Sequence, residues 1–268
     1  MPLSGRIRRT KTKNKRDSKT CIKGNLKEVY EMTSRSRLIV WRNICILTLM
    51  FCLLYGLPNL VILASYLPKR MDLHSAAVWT AVGLGLSGLI LLIAIMIWLR
   101  RTKQSLKDLG WGKPTSASAL VLGVLFAFAL LGLCYTNNKR FGVELPIGRI
   151  NPPRILAAVL TAFAGIVEEI GMRGVLMTEL DKIKTRTWLQ VLISGFCYAI
   201  YHSLQFLASP VQFIQSMTVS TLLGIILAGI YVLGRRSLTP CILSHGLANL
   251  LGEPYILMGA LAAFAKFG

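Results

Sequence analysis

The sequence predicts an all-α fold: a polytopic membrane helical bundle of about eight transmembrane helices. Three observations predict it. Hydrophobic residues make up 54% of the chain, above the roughly 45–50% usual for soluble domains. The mean hydropathy is +0.57. Long apolar runs also recur along most of the length, and they place spans at 44–67, 76–99, 118–135, 155–177, 188–207, 214–233, 238–251 and 255–267. Each of the first six approaches the ~20 residues needed to cross a ~30 Å hydrocarbon core. The last two are short and read as a tilted pair or as half-spans packed inside the bundle.

Charge orders these spans across the bilayer. The net charge of +20 invites a nucleic-acid reading, and its distribution argues against one. Thirteen of the 31 basic residues lie between Arg6 and Arg42, before the first span. Arg100, Arg101, Lys103, Lys107 and Lys113 fill the second loop. Lys182, Lys184 and Arg186 fill the fourth, Arg235 and Arg236 the sixth, and Lys266 stands near the end. With a cytoplasmic N-terminus these are all inside segments, as the positive-inside rule requires. The opposite loops hold fewer, among them Lys69, Arg70, Lys139 and Arg140. The chain is therefore expected as an integral protein of a bacterial plasma membrane, with no nucleic-acid partner.

Three regions follow: a tail over 1–37, N-terminal helices over 38–150 and C-terminal helices over 151–268. The tail is basic and lacks periodic apolar faces, so it is expected to be flexible and to lie on anionic lipid. Arg8-Arg9 begins too far from the first apolar run for a signal peptide. The six cysteines include no C-x-x-C pair and mostly sit in apolar spans, where buried thiols act as small hydrophobes.

The most informative residues are charges inside the fourth span. Glu168, Glu169 and Arg173 sit where insertion scales charge roughly 2.5–3.5 kcal/mol for each ionised group. They must face protein or a wet cavity. Two of the three histidines, His202 and His245, also lie within spans. Residues four apart share a helix face, so Glu169 and Arg173 can pair while Glu168, turned by about 100°, is left for chemistry. His245 and Asn249 share a face by the same spacing, and Tyr198 lies on the His202 face.

One carboxylate, two imidazoles and an amide suit peptide hydrolysis by water. Glu168 takes a proton from water with help from His202. His245 and Asn249 donate to the oxygen of the tetrahedral intermediate. No cofactor is expected. A zinc version would use Glu168, His202 and His245 with an open position, although no H-E-x-x-H spacing suggests the metal.

Glu168-Glu169-x-x-x-Arg173, then Tyr198-x-x-x-His202, then His245-x-x-x-Asn249, in that order, resembles the CPBP (Abi) family of intramembrane proteases. That family groups type II CAAX prenyl endopeptidases with bacteriocin-processing proteins. The stretch from Arg236 to His245, through Thr239-Pro240-Cys241, is also typical of it. The resemblance implies peptide cleavage within the membrane, with Glu168 and His202 activating water and His245 and Asn249 at the oxyanion. Glu169 and Arg173 match supporting positions, and Tyr198 stands where the family usually has phenylalanine. The resemblance leaves metal dependence open. Prenylated C-termini, leader peptides, and pheromone or bacteriocin precursors are the substrate classes it implies. Two other classes compete: a non-catalytic membrane scaffold or immunity-like regulator, and a proton-coupled transporter, since intramembrane Glu and His also build proton relays.

Overall fold

The computed structural model describes residues 34–56, 73–140, 151–204 and 210–252. Every regular element among them is helical. The described helices are α1 (Ser34–Gly56), α2 (Leu73–Thr102), α3 (Ala117–Arg140), α4 (Pro152–Lys182), α5 (Thr187–Ser203), α6 (Pro210–Leu233) and α7 (239–252). Five of them, α1 to α4 and α6, are long and apolar enough to cross a membrane. The chain is an all-α integral membrane bundle. The expected eighth span at 255–267 and the tail as far as residue 33 lie outside the described residues.

The first helix begins at Ser34, ten residues before the expected span. Arg35, Arg37 and Arg42 are exposed, and long basic side chains can keep their charge in the headgroups while the helix continues below them. On its other face Val40, Ile44, Leu47 and Phe51 recur at helical spacing and are all buried.

The central element is α4. In its apolar window 61% of residues are buried, against 17–33% in the other four long helices. Its start is well defined: Asn151 accepts from the Arg154 N–H at 3.0 Å, and Pro152 and Pro153 fill the first helical positions. Prolines there lose no hydrogen bond that the helix would make. Small residues on the neighbours let them close on α4, and at Gly88 of α2 an added Cβ would lie 3.3 Å from the Phe163 ring.

The loops 103–116, 183–186 and 234–238 meet at one end of the bundle. Leu238 N–H donates to Gly110 O at 3.1 Å, Ser237 Oγ to Lys113 O at 2.9 Å, and Arg236 Nη2 to Asp181 Oδ1 at 3.2 Å. The basic loops assigned to one side of the membrane therefore stand together. Within the first of them, Ser105 donates from both N and Oγ to Asp108 Oδ2, which holds the Asp108 carboxyl below its ordinary range.

Helices α2, α4 and α6 end at this face in the same way. Lys103, Lys184 and Arg235 each adopt positive φ, 54°, 55° and 60°. Each donates to the carbonyl three residues back, and the next residue donates five back, as in Gln104 N to Leu99 O at 2.9 Å. This is the Schellman closure, whose left-handed position usually holds glycine. A side chain there costs about 1–2 kcal/mol.

Helices α5 and α6 touch through glycine. A Cβ on Gly224 would lie 2.7 Å from Gly195 Cα, so Ser220-x-x-x-Gly224 packs inside the bundle on α5. Gly229, on the same helix, has nothing within 4 Å of its notional Cβ. Gly224→Ala is expected to lower the thermal midpoint in detergent, on the scale of about 1–3 kcal/mol for overpacking. Gly229→Ala should leave it unchanged or raise it. Equal midpoints for the two variants would contradict the contact.

Candidate active site

Glu168 and Glu169 close the α-helical part of α4. The next six residues, Ile170–Val175, form a π-turn in which the Leu176 N–H reaches Gly171 O. Such single turns widen a helix and often sit at functional sites. Here the turn starts directly after Glu169 and contains Arg173, both fully buried.

The two adjacent glutamates have different partners. Glu169 Oε1 accepts from Arg173 Nη1 at 3.1 Å and from His245 Nδ1 at 2.8 Å. Arg173 also donates from Nη2 to Gly224 O at 3.1 Å and lies 4.8 Å over the Tyr198 ring. The expected Glu169–Arg173 pair is present, but it is shared across α4, α5, α6 and α7. Glu169 Oε1 already accepts from the Arg173 guanidinium, and as a carboxylate oxygen it accepts again from His245 Nδ1–H in the 2.8 Å bond.

Glu168 faces α5. Its Oε2 accepts from the Tyr201 hydroxyl at 2.8 Å and lies 3.7 Å from His202 Nε2. The expectation of an unpartnered Glu168 is thus modified: a phenol holds one oxygen and an imidazole stands just beyond hydrogen-bond distance. His202 donates from Nδ1 to Tyr198 O at 2.9 Å and stacks on the Tyr198 ring at 4.1 Å. This bond leaves Nε2 turned to Glu168. His202 is also the most open member, with 29% of its side chain exposed against 7% for Glu168 and 8% for His245.

Asn249 completes the group. Its Nδ2 donates to Thr161 O at 3.0 Å, which spends one of its two N–H bonds and fixes the amide against α4. Gly165 is the α4 residue against which Asn249 and His245 pack. A Cβ there would lie 2.8 Å from Asn249 Nδ2 and 3.2 Å from His245 Cδ2.

Four residues that pattern reading passed over therefore shape the site: Tyr201, Gly165, Phe51 and Tyr55. Phe51 and Tyr55 of α1 pack on the Tyr201 ring at 5.1 and 6.0 Å. Gly171 admits the Phe51 ring, which a Cβ would meet at 2.6 Å. A usable signal was available for the tyrosines, since a phenol inside a span needs a partner for its hydroxyl. None marks the glycines.

Among the described residues no three His, Cys, Asp or Glu side chains form a group able to hold a metal.

Residues 150–251 match the family model described as type II CAAX prenyl endopeptidase Rce1-like. Over this segment, well under half of the chain, the sequence is similar to the CAAX-protease family. No curated protein and no solved structure matches it. The family segment takes in α4, α5, α6 and nearly all of α7, and so every residue of the three motifs. The aromatic wall from α1 lies outside it. The likeness supports an intramembrane protease of the CAAX type in general, a class that acts on peptide or protein substrates within the membrane.

Gly165→Ala is expected to push the Asn249 amide and the His245 ring off α4. Peptide turnover should fall about a hundredfold or more, the scale of a lost hydrogen-bond donor at a reacting centre. Thermal midpoint and turnover measured on one preparation check this. Unchanged turnover would contradict the packing.

Proposed function

We propose that the chain is a glutamate-dependent intramembrane endopeptidase, with Glu168, His202, His245 and Asn249 as its catalytic residues. The observation that carries the reading is the division between the adjacent glutamates. Glu169 is committed to Arg173 and His245, while Glu168 faces an imidazole nitrogen across 3.7 Å. A substrate water placed beside both acceptors can donate to each of them.

In the reaction, Glu168 takes a proton from that water as its oxygen attacks the scissile carbonyl carbon. His202 Nε2 accepts the second water hydrogen and fixes the attacking lone pair. Tyr201 donates to the Glu168 oxygen that faces His202 and so holds the carboxylate in place. The carbonyl electrons move to oxygen, where the free N–H of Asn249 and Nε2–H of His245 receive them. A neutral His245 with its proton on Nδ1 presents only a lone pair at Nε2, so this role calls for the imidazolium, with the carboxylates of Glu168 and Glu169 together offsetting its charge and that of Arg173. Collapse of the intermediate breaks the C–N bond. Glu168 returns its proton to the leaving amine, and the net change is one water consumed per peptide bond.

Substrates with a lipid-anchored or membrane-spanning segment suit this site, since it lies among helices of the bundle. Prenylated C-termini and leader, pheromone or bacteriocin-type precursors are the classes to try first. The test compares peptide termini in membranes carrying the wild type with those carrying Glu168→Gln at matched protein levels. Glutamine keeps the shape and cannot take the proton, so a set of wild-type termini should vanish. Identical termini, with any wild-type phenotype intact, would reject the enzyme and favour a scaffold or regulator. Solute uptake that depends on Glu168 without peptide products would favour a transporter.

A further inference from the structure

The basic end of the bundle carries a feature that topology alone does not require. All four non-glycine residues with positive φ among the described residues are cationic, and all stand at this face: Lys103, Lys184, Arg235 and Arg236. Three of them occupy the glycine position of a Schellman closure. Strained backbone is retained where the side chain has a use. The helix dipole does not supply that use at α2 and α4, whose last turns already contain Arg100, Arg101 and Lys182.

The acidic groups of this end are committed elsewhere. Asp181 binds Arg236, Glu179 binds Lys182 and accepts from Asn43, and Asp108 is held by Ser105. Lys103, Lys184 and Arg235, with Lys107 and Arg186 beside them, are exposed and form no ion pair among the described residues. Four of the five tryptophans, Trp41, Trp98, Trp111 and Trp188, lie at the same end, and tryptophan collects at headgroup level. The unpaired cations therefore stand where lipid phosphates are.

We propose that this face is a binding surface for anionic phospholipid headgroups, with Lys103, Lys184 and Arg235 as the phosphate-contacting side chains. The left-handed closures turn these three residues outward at the points where their helices leave the bilayer. Arg236, already bound to Asp181 and Gln190, braces the loop and is not part of the surface.

The test uses the full chain in nanodiscs doped with brominated phosphatidylglycerol or brominated phosphatidylcholine, read by tryptophan quenching. The wild type should favour phosphatidylglycerol by about fivefold or more, the factor of one basic residue near a charged surface. The preference should weaken with salt. The triple variant Lys103→Gly, Lys184→Gly, Arg235→Gly should lose it while its thermal midpoint holds or rises, because glycine suits each closure. Asparagine at the same three positions, uncharged and tolerant of positive φ, should behave alike and serves if the glycine variant fails to fold. Equal quenching by the two lipids in the wild type overturns the proposal. So does a preference that survives in the triple variants, which would belong to the N-terminal tail. Binding of a soluble polyglutamate peptide in place of any lipid preference also overturns it, in favour of an acidic protein partner.

Discussion

A fully buried arginine sets the conditions under which this bundle can form. Arg173 is 0% exposed and heads the largest completely buried side chains. A guanidinium inside a bilayer needs a counter-charge and acceptors, because removing one partner of a buried pair costs about 3–5 kcal/mol. Glu169 supplies the charge, Gly224 O an acceptor and the Tyr198 ring a π face. Each of these comes with a packing demand. Gly224 O is in reach because α5 and α6 meet glycine on glycine, and the π-turn in α4 starts directly after Glu169 and contains Arg173. Satisfying one cation thus brings α4, α5 and α6 into register, and His245 on the same carboxylate adds α7.

The chemistry borrows that rigidity. His245 is oriented by a carboxylate whose main task is to hold Arg173, and His202 is stacked on the tyrosine that lies under the same guanidinium. Glu168 stands one residue and about 100° away, turned to Tyr201 and His202 and taking no part in the Arg173 ion pair. A pair of adjacent glutamates can in this way divide between structure and proton transfer.

Much of this was legible in the sequence, and for physical reasons. Long apolar runs announce membrane helices because bilayer thickness fixes their length. Charges inside such runs stand out because they are expensive there, so Glu168, Glu169, Arg173, His202, His245 and Asn249 could all be named, along with the three helices that carry them. Gly165, Gly195 and Gly171 offer no such contrast: a glycine in an apolar run looks the same whether it has open space beside it, like Gly229, or admits a neighbour. Phe51 and Tyr55 were hidden as ordinary span residues of a helix outside the family segment. The start of α1 was misplaced because hydropathy counts Arg35 and Arg37 against a helix whose charges simply point outward. The Schellman closures were invisible because lysine and arginine do not advertise positive φ.

The most direct measurement compares Glu168→Gln with Glu169→Gln, purified side by side, for thermal midpoint and for turnover of a cleaved membrane peptide. The account predicts that Glu168→Gln keeps the wild-type midpoint and loses turnover. Glu169→Gln should lower the midpoint steeply, because it leaves Arg173 buried without a counter-charge. The opposite pattern, a destabilised Glu168→Gln beside a stable and inactive Glu169→Gln, would contradict it.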